Sequence, residues 1–212
     1  MKRIACLSQK GGVGKSTTAR DLAVQFARND WEVRIADLDP RQSTSIIWNQ
    51  ARIANALEPQ VSVAGFITAA DAIKANGVDL TVFDGKPYSD IETRRLAEVS
   101  DLIVIPTGPT VDDLHPQVLL AHELVKAGTP KSKIIFVINS VVSALDGQEV
   151  SAAKAYIGDA GYRVANAVLP RRSAYGQAQN SGRSISEVAH PTLRVHAINL
   201  AEELSSALLE EK

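Results

Sequence analysis

The chain has 212 residues and a single cysteine, Cys6. One thiol cannot build a disulfide framework or a cysteine metal site. Set in an apolar run, Cys6 reads as a buried, inert thiol. No apolar stretch approaches the roughly 20 residues that span a bilayer. The first residues enter a strand pattern directly, without the layout of a secretory leader. These absences predict a cytoplasmic protein with no membrane partner. Charge of one sign is lacking too: 23 Lys and Arg face 24 Asp and Glu, for a net −1. Global charge therefore does not announce a polyanion partner. The four histidines show no pair at a convincing metal-ligand spacing. Repeats, low-complexity tracts and linkers are missing, and the length then predicts one domain over 1–212. The 45% hydrophobic content is enough for a substantial core.

What is present is more specific. Apolar β-branched runs at 3–7, 32–36, 80–83, 102–105, 133–138 and 162–164 read as strands. Helical patterns cover 15–28, 44–56, 90–99, 111–125, 147–157 and 193–209, and the alanine and glycine run at 69–77 reads as a small helix and turn. Continuous apolar strands alternating with helices predict an α/β fold: a mostly parallel twisted sheet with helices on both faces. Ligands of such sheets bind beyond the carboxyl ends of the strands.

Between the first strand and first helix runs Gln9-Lys10-Gly11-Gly12-Val13-Gly14-Lys15-Ser16-Thr17. A glycine loop in a strand–loop–helix setting is a phosphate-binding arrangement. Its inward N–H groups make an anion cradle, and the helix N-terminus adds a favourable dipole. Lys15 is placed to reach the β- and γ-phosphates of a nucleotide, and the Ser16 hydroxyl to sit on Mg²⁺. Lys10 lacks glycine's freedom at positive φ, so it reads as an extra cation near the phosphates. Two further strands end in acids: Asp37-Leu38-Asp39-Pro40 and Asp84-Gly85. Asp84 is the candidate for the Mg²⁺ shell, with Asp37 in support, and Asp39 the candidate to orient an attacking water.

Lys-Gly-Gly-Val-Gly-Lys-Ser-Thr at 10–17 and Asp-Leu-Asp-Pro at 37–40 resemble the deviant Walker A ATPases, most of all the short ParA partition ATPases, with MinD as a cousin. Leu169-Pro170-Arg171-Arg172 and Gly182-Arg183-Ser184-Ile185-Ser186-Glu187 resemble that family's late nucleotide-side loop and the segment after it. The resemblance implies a P-loop ATPase that hydrolyses ATP with Mg²⁺. It implies that Lys10 is the signature lysine reaching a partner subunit's nucleotide in an ATP-dependent homodimer. It also implies that Asn139 contacts adenine, with Pro170 and Arg171 lining the base. Non-specific DNA of the nucleoid and a ParB-like adaptor are the implied partners. One departure stands out: Gly85-Lys86-Pro87 replaces the family's usual Thr-Pro-Pro, which removes a hydroxyl and loosens the backbone beside Asp84.

Charge distribution adds a candidate surface. Residues 160–200 carry Arg163, Arg171, Arg172, Arg183 and Arg194 against Glu187 alone. Arg163, Arg183 and Arg194 are the DNA candidates. The alternatives are a MinD-like positioning ATPase or a ParA-like ATPase moving a non-DNA cargo. A membrane role needs a basic amphipathic end, and the last residues are acidic. Asp112, Asp113 and Glu123 read as solvated helix charges, Trp31 and Trp48 as packing residues.

Overall fold

A computed structural model describes residues 1–39, 42–88, 91–142 and 147–210. Seven strands form one sheet in the order β3-β2-β4-β1-β5-β6-β7, and every pairing is parallel. They are β1 (Lys2–Cys6), β2 (Val33–Asp37), β3 (Ser62–Gly65), β4 (Leu80–Asp84), β5 (Leu102–Thr107), β6 (Ile134–Ile138) and β7 (Arg163–Val164). The helices are α1 (Lys15–Arg28), α2 (Thr44–Ala54), α3 (Ala69–Lys74), α4 (Ile91–Val99), α5 (Val111–Lys126), α6 (Gly147–Asp159), α7 (Ser173–Asn180) and α8 (Pro191–Leu209).

Side-chain alternation sorts the sheet into two cores. Ile4, Cys6, Ile35, Val82, Val104 and Val137 face one way and pack on α1, α2, α7 and α8. Ala5, Leu7, Phe83, Ile103, Ile105 and Phe136 face the other way, onto α3 to α6. β4, β5 and β6 are buried along their whole length, which is why they read as unbroken apolar runs.

Two elements escaped the sequence. β3 is a half-exposed edge strand of Ser, Val, Ala and Gly, too short and too small in side chain to signal itself. α7 carries Gly176 and little apolar periodicity. It is anchored by tertiary contacts instead: Tyr175 is buried and its hydroxyl donates to the Leu193 carbonyl at 2.7 Å. The 44–56 helix stops at Ala54, and Ala56 turns into positive φ (48°). The 90–99 helix is described from Ile91, residue 90 lying outside the described residues. Pro116 sits inside α5.

The chain reverses direction across the sheet at β1, which lies between β4 and β5. This switch point gathers the carboxyl ends of β1, β2 and β4 in one place. Asp37 and Asp84 are register partners there, and so are Cys6 and Asp84.

Candidate functional site

At that switch point lies a cavity of about 330 Å³, lined by Gly11, Gly12, Gly14, Lys15, Ser16, Thr17, Arg20, Asp37, Asp39 and Asp84 among others. Gly12 and Gly14 take φ of 79° and 102°, which glycine adopts without strain. Gly14 is the N-cap of α1, and α1 has neither a side-chain cap nor an acid in its first turn. Its leading N–H groups are thus left facing the cavity, where an anion satisfies them. A Cβ on Gly14 would strike the Asn139 amide.

Lys15 is 7% exposed. Its ammonium donates to Ser8 Oγ at 2.9 Å and lies 3.4 Å from the Lys10 carbonyl. Burial holds its pKa below the ordinary lysine value, while Asp84, Cys6 and Asp39 pull it back up. Ser8 in turn donates to the Lys10 carbonyl at 2.6 Å. Ser8 was not singled out in the sequence, because a serine ending a strand carries no signal of its own.

The acids divide into different roles by their partners. Asp37 accepts the backbone N–H of Asp39 and of Ser45, each at 3.0 Å, so both its oxygens are used in turning the chain into α2. Asp84 accepts from Ser16 Oγ at 3.1 Å and Ser45 Oγ at 2.7 Å. Burial raises the Asp84 pKa, partly offset by these donors. Thr44 Oγ1 lies 3.3 Å from Ser16 Oγ. Asp39 sits at the cavity wall, and its Oδ1 accepts from the Gln42 N–H at 3.2 Å. Pro40 lies outside the described residues.

The side chains that could ligate a cation at this corner are oxygen ligands: Ser16, Thr44 and Asp84. That donor set suits a hard cation such as Mg²⁺, which keeps several waters and takes phosphate oxygens for the rest. Among the described residues no group of three or more His, Cys, Asp and Glu could hold a metal ion, so an all-protein cage is not what the corner offers.

Lys10 is not in the cavity lining. Its Nζ donates to Asp113 Oδ1 at 2.6 Å and to the Asp112 carbonyl at 3.2 Å. The local sequence explains the second bond. Pro116 has no N–H for the carbonyl four residues earlier, and Lys10 takes that freed Asp112 oxygen. Asp113 is therefore not a solvated helix charge: burial works against its ionised form, yet the Lys10 and Thr110 donors hold its pKa below the ordinary carboxyl range. Gln117 also accepts the Gln9 N–H at 3.0 Å.

Of the expected nucleotide-side residues, Asn139 touches the glycine loop, whereas Pro170 lines a separate cavity with Val141 and Val168. Asn139 is buried; its Nδ2 donates to the Val13 carbonyl at 3.0 Å, and its Oδ1 has no protein partner among the described residues. Val141 bridges to Pro170, and the Arg171 N–H donates to the Val141 carbonyl at 2.7 Å. Gly85 proves tighter than its sequence suggested. A Cβ there would meet Leu7 Cδ2 at 2.9 Å and the Cys6 carbonyl at 3.0 Å, so glycine serves close strand-end packing and not looseness.

The arginines do not form one patch. Arg183 and Arg194 line a groove of about 490 Å³ beside α7 and the start of α8. Arg163 lies on β7, 3.5 Å from Glu210 beyond the far end of α8. The Arg194 guanidinium donates twice to the Val188 carbonyl, at 3.0 and 2.9 Å. Trp48 is a packing residue as expected, 2% exposed with Arg20 and Arg52 over its ring.

A glycine cradle at a bare helix N-terminus, with a buried lysine and a strand-end aspartate on the Ser hydroxyl, defines a P-loop nucleotide-binding ATPase. Comparison with known proteins narrows the class. Residues 4–185 match the model of the CobQ/CobB/MinD/ParA nucleotide-binding domain. The chromosome-partitioning ATPase Soj of Thermus thermophilus is 28% identical, covering 99% of this chain and 98% of the relative. Protein ParA of Rhizobium radiobacter is 28% identical, covering 82% and 81%. Among solved structures, MinD of Pyrococcus horikoshii complexed with Mg-ADP superposes with a TM-score of 0.72 at 17% identity, covering 99% of each chain. The chain belongs to the CobQ/CobB/MinD/ParA family and is a ParA-type ATPase.

Proposed function

We propose that this protein is an ATP-gated partition switch. ATP binds in the cavity with its phosphates on the N–H groups of Gly11 to Thr17. Lys15 neutralises the β- and γ-phosphates. Ser16 and Asp84 hold Mg²⁺, which neutralises phosphate charge, and Asp37 supports that corner through Ser45. Asp39 orients the attacking water. Asn139 offers the adenine amino group its Oδ1, which has no partner among the described residues, and Pro170 and Arg171 line the base. The observation that carries this reading is the uncapped N-terminus of α1 next to an Asp84 held 3.1 Å from Ser16.

Lys10 leaves Asp113 to reach the γ-phosphate of a second copy. The exchange is cheap, because the Lys10 side chain is 40% exposed and such pairs contribute about 0–1 kcal/mol. ATP thus favours a dimer through a contact that ADP lacks. The dimer carries two copies of the Arg183–Arg194 groove on one rigid body. Affinity for a polyanion grows steeply with the number of phosphates neutralised, and two linked sites gain further from effective concentration. DNA binding without sequence readout follows, with Arg163 as an outlying contact. Hydrolysis dissolves the interface, and a ParB-like adaptor speeds it.

One further relative favours a second cargo. The maintenance of carboxysome distribution protein A of Gloeobacter kilaueensis is 32% identical over 58% of this chain. The same switch then carries a protein assembly on the nucleoid. A membrane role fits less well, since Leu200, Leu204, Ala207 and Leu208 of α8 are buried in the core.

Size-exclusion chromatography with DNA co-sedimentation, run with ADP, ATP and a non-hydrolysable analogue, tests the switch. The expected result is a dimer that pellets with DNA only in the two triphosphates. A monomer in all three states overturns it.

A further inference from the structure

Arg20 is 8% exposed and lines the cavity on its acidic side. Nothing in the loop motif calls for a cation there. Its Nε donates to Ser45 Oγ at 3.1 Å, and its Nη1 donates to Gln179 Oε1 at 2.8 Å. Gln179 Nε2 then donates to Thr17 Oγ1 at 3.0 Å. Ser45 is completely buried. Its N–H goes to Asp37 and its hydroxyl to Asp84 Oδ2 at 2.7 Å.

The direction of this chain is fixed by chemistry. A guanidinium cannot accept, a carboxylate cannot donate, and a serine hydroxyl has one proton. Arg20 therefore occupies a lone pair of Ser45 and sends the Ser45 proton to Asp84 Oδ2. That bond fixes the carboxylate plane, with Oδ2 on Ser45 and Oδ1 toward Ser16. Charge matters as well as direction. Asp37, Asp39 and Asp84 all line the cavity, and among its described lining residues the cations are Lys15 and Arg20. Lys15 feels the Asp84 and Asp39 charges but hydrogen-bonds Ser8 and the loop carbonyl, so Arg20 is the cation joined to Asp37 and Asp84 through Ser45.

We infer that Arg20 is a positioning residue for the divalent-cation corner: acting through Ser45 it aims Asp84 Oδ1 at Ser16, and its charge limits how tightly that corner takes a divalent ion. This rests on the assignment of Asp84 to the metal corner, so the test separates the two. Free Mn²⁺ is titrated by electron paramagnetic resonance against the ADP-loaded protein, with the width of the bound signal as a second readout. Asp84→Asn should weaken Mn²⁺ by about tenfold or more. Arg20→Gln should bind Mn²⁺ about three- to tenfold more tightly, because a cation several ångströms away is removed at low dielectric, and should broaden the bound signal. Arg20→Lys should restore the affinity but not the line shape. Ser45→Ala, which keeps the charge and cuts the relay, should broaden the signal with affinity within about twofold of wild type, and it decides the matter should the Arg20 variants not fold. A wild-type signal in Ser45→Ala overturns the relay. Wild-type affinity in a folded Arg20→Gln overturns the charge effect while the Asp84 assignment stands. Unchanged Mn²⁺ binding in Asp84→Asn sinks the assignment and the inference with it.

Discussion

The phosphate cavity and the groove beside α7 both collect positive charge, and they do it in opposite ways. In the cavity the ammonium of Lys15 is buried, hydrogen-bonded and surrounded by acids, with a bare helix end behind it. Its charge is pre-positioned and poorly screened, which is what tight, geometry-specific binding requires. In the groove Arg194 is tied to a backbone carbonyl, and Glu187 shares the lining. Charge there is diluted, solvent-facing and sensitive to salt. The first region suits one ligand held in one pose. The second is where the proposed function places weak phosphate contacts, doubled in the proposed dimer.

The two regions are mechanically joined. Arg52 of α2, fully buried, donates to both oxygens of Glu187 at 2.8 and 3.2 Å and to the Gly182 carbonyl at 3.1 Å. A Cβ at Gly182 (φ 77°) would collide with the Arg52 backbone. Asp21 of α1 accepts the Ser186 N–H at 3.0 Å. The helices that begin at the cavity therefore hold the turn that floors the groove.

Breaking the cavity should have the largest effect. Lys15→Ala is expected to lower ATP affinity by at least about 100-fold, the effect of losing a charged partner in a dry site; fluorescent-nucleotide titration checks it, and retained affinity removes Lys15 from the cradle. Asp39→Ala should cut hydrolysis by roughly 100-fold, in the range of a lost water-orienting group, while ATP-dependent dimer accumulates on a sizing column. Reversing Arg183 and Arg194 together to Glu should weaken DNA retention about tenfold at low salt and flatten the salt dependence. ATP-dependent dimerisation should persist, and unaltered DNA binding would move the patch elsewhere.

A pH test sharpens the joint between the regions. Burial raises the Asp21 pKa from 3.8 to about 6, against the opposing pull of Ser186 and Ser184 donors. The folded state then binds this proton more tightly than the unfolded state. The resulting stability is fully present below about pH 4 and is lost as pH rises through 6. Asp21→Asn keeps an acceptor for Ser186 without the charge. Its stability should exceed wild type at pH 7.5 by up to about 3 kcal/mol, read as a higher melting temperature, with the gain vanishing near pH 4. A gain independent of pH would contradict the assignment. The smallest effect is expected for Asp113→Asn, which frees Lys10 from a partly exposed pair and should lower the ATP needed for dimerisation by less than about fivefold.

The glycine loop, the acids at strand ends and the parallel sheet were legible because each depends on local order. Glycine at positive φ, an apolar run ending in Asp, and strand–helix alternation are properties of adjacent residues. Lys10 was recognisable as a second cation of the loop, yet its partner lies 103 residues away on α5. Arg20 and Ser45 were invisible for the same reason: an arginine on one helix and a serine at the start of the next are unremarkable until folding sets them 3.1 Å apart. The arginines of 160–200 looked like one patch because they are close in sequence; the length of α8 puts Arg163 and Arg194 at opposite ends.

The amino-acid order alone determined the chemistry of the phosphate site, since backbone donors and the lysine beside them come from one unbroken segment. Tertiary structure decided which charges remain available to a ligand. Long-range contacts, made only when the sheet closes, tie Lys10 to α5 and set Asp84 between the hydroxyls of Ser45 and Ser16.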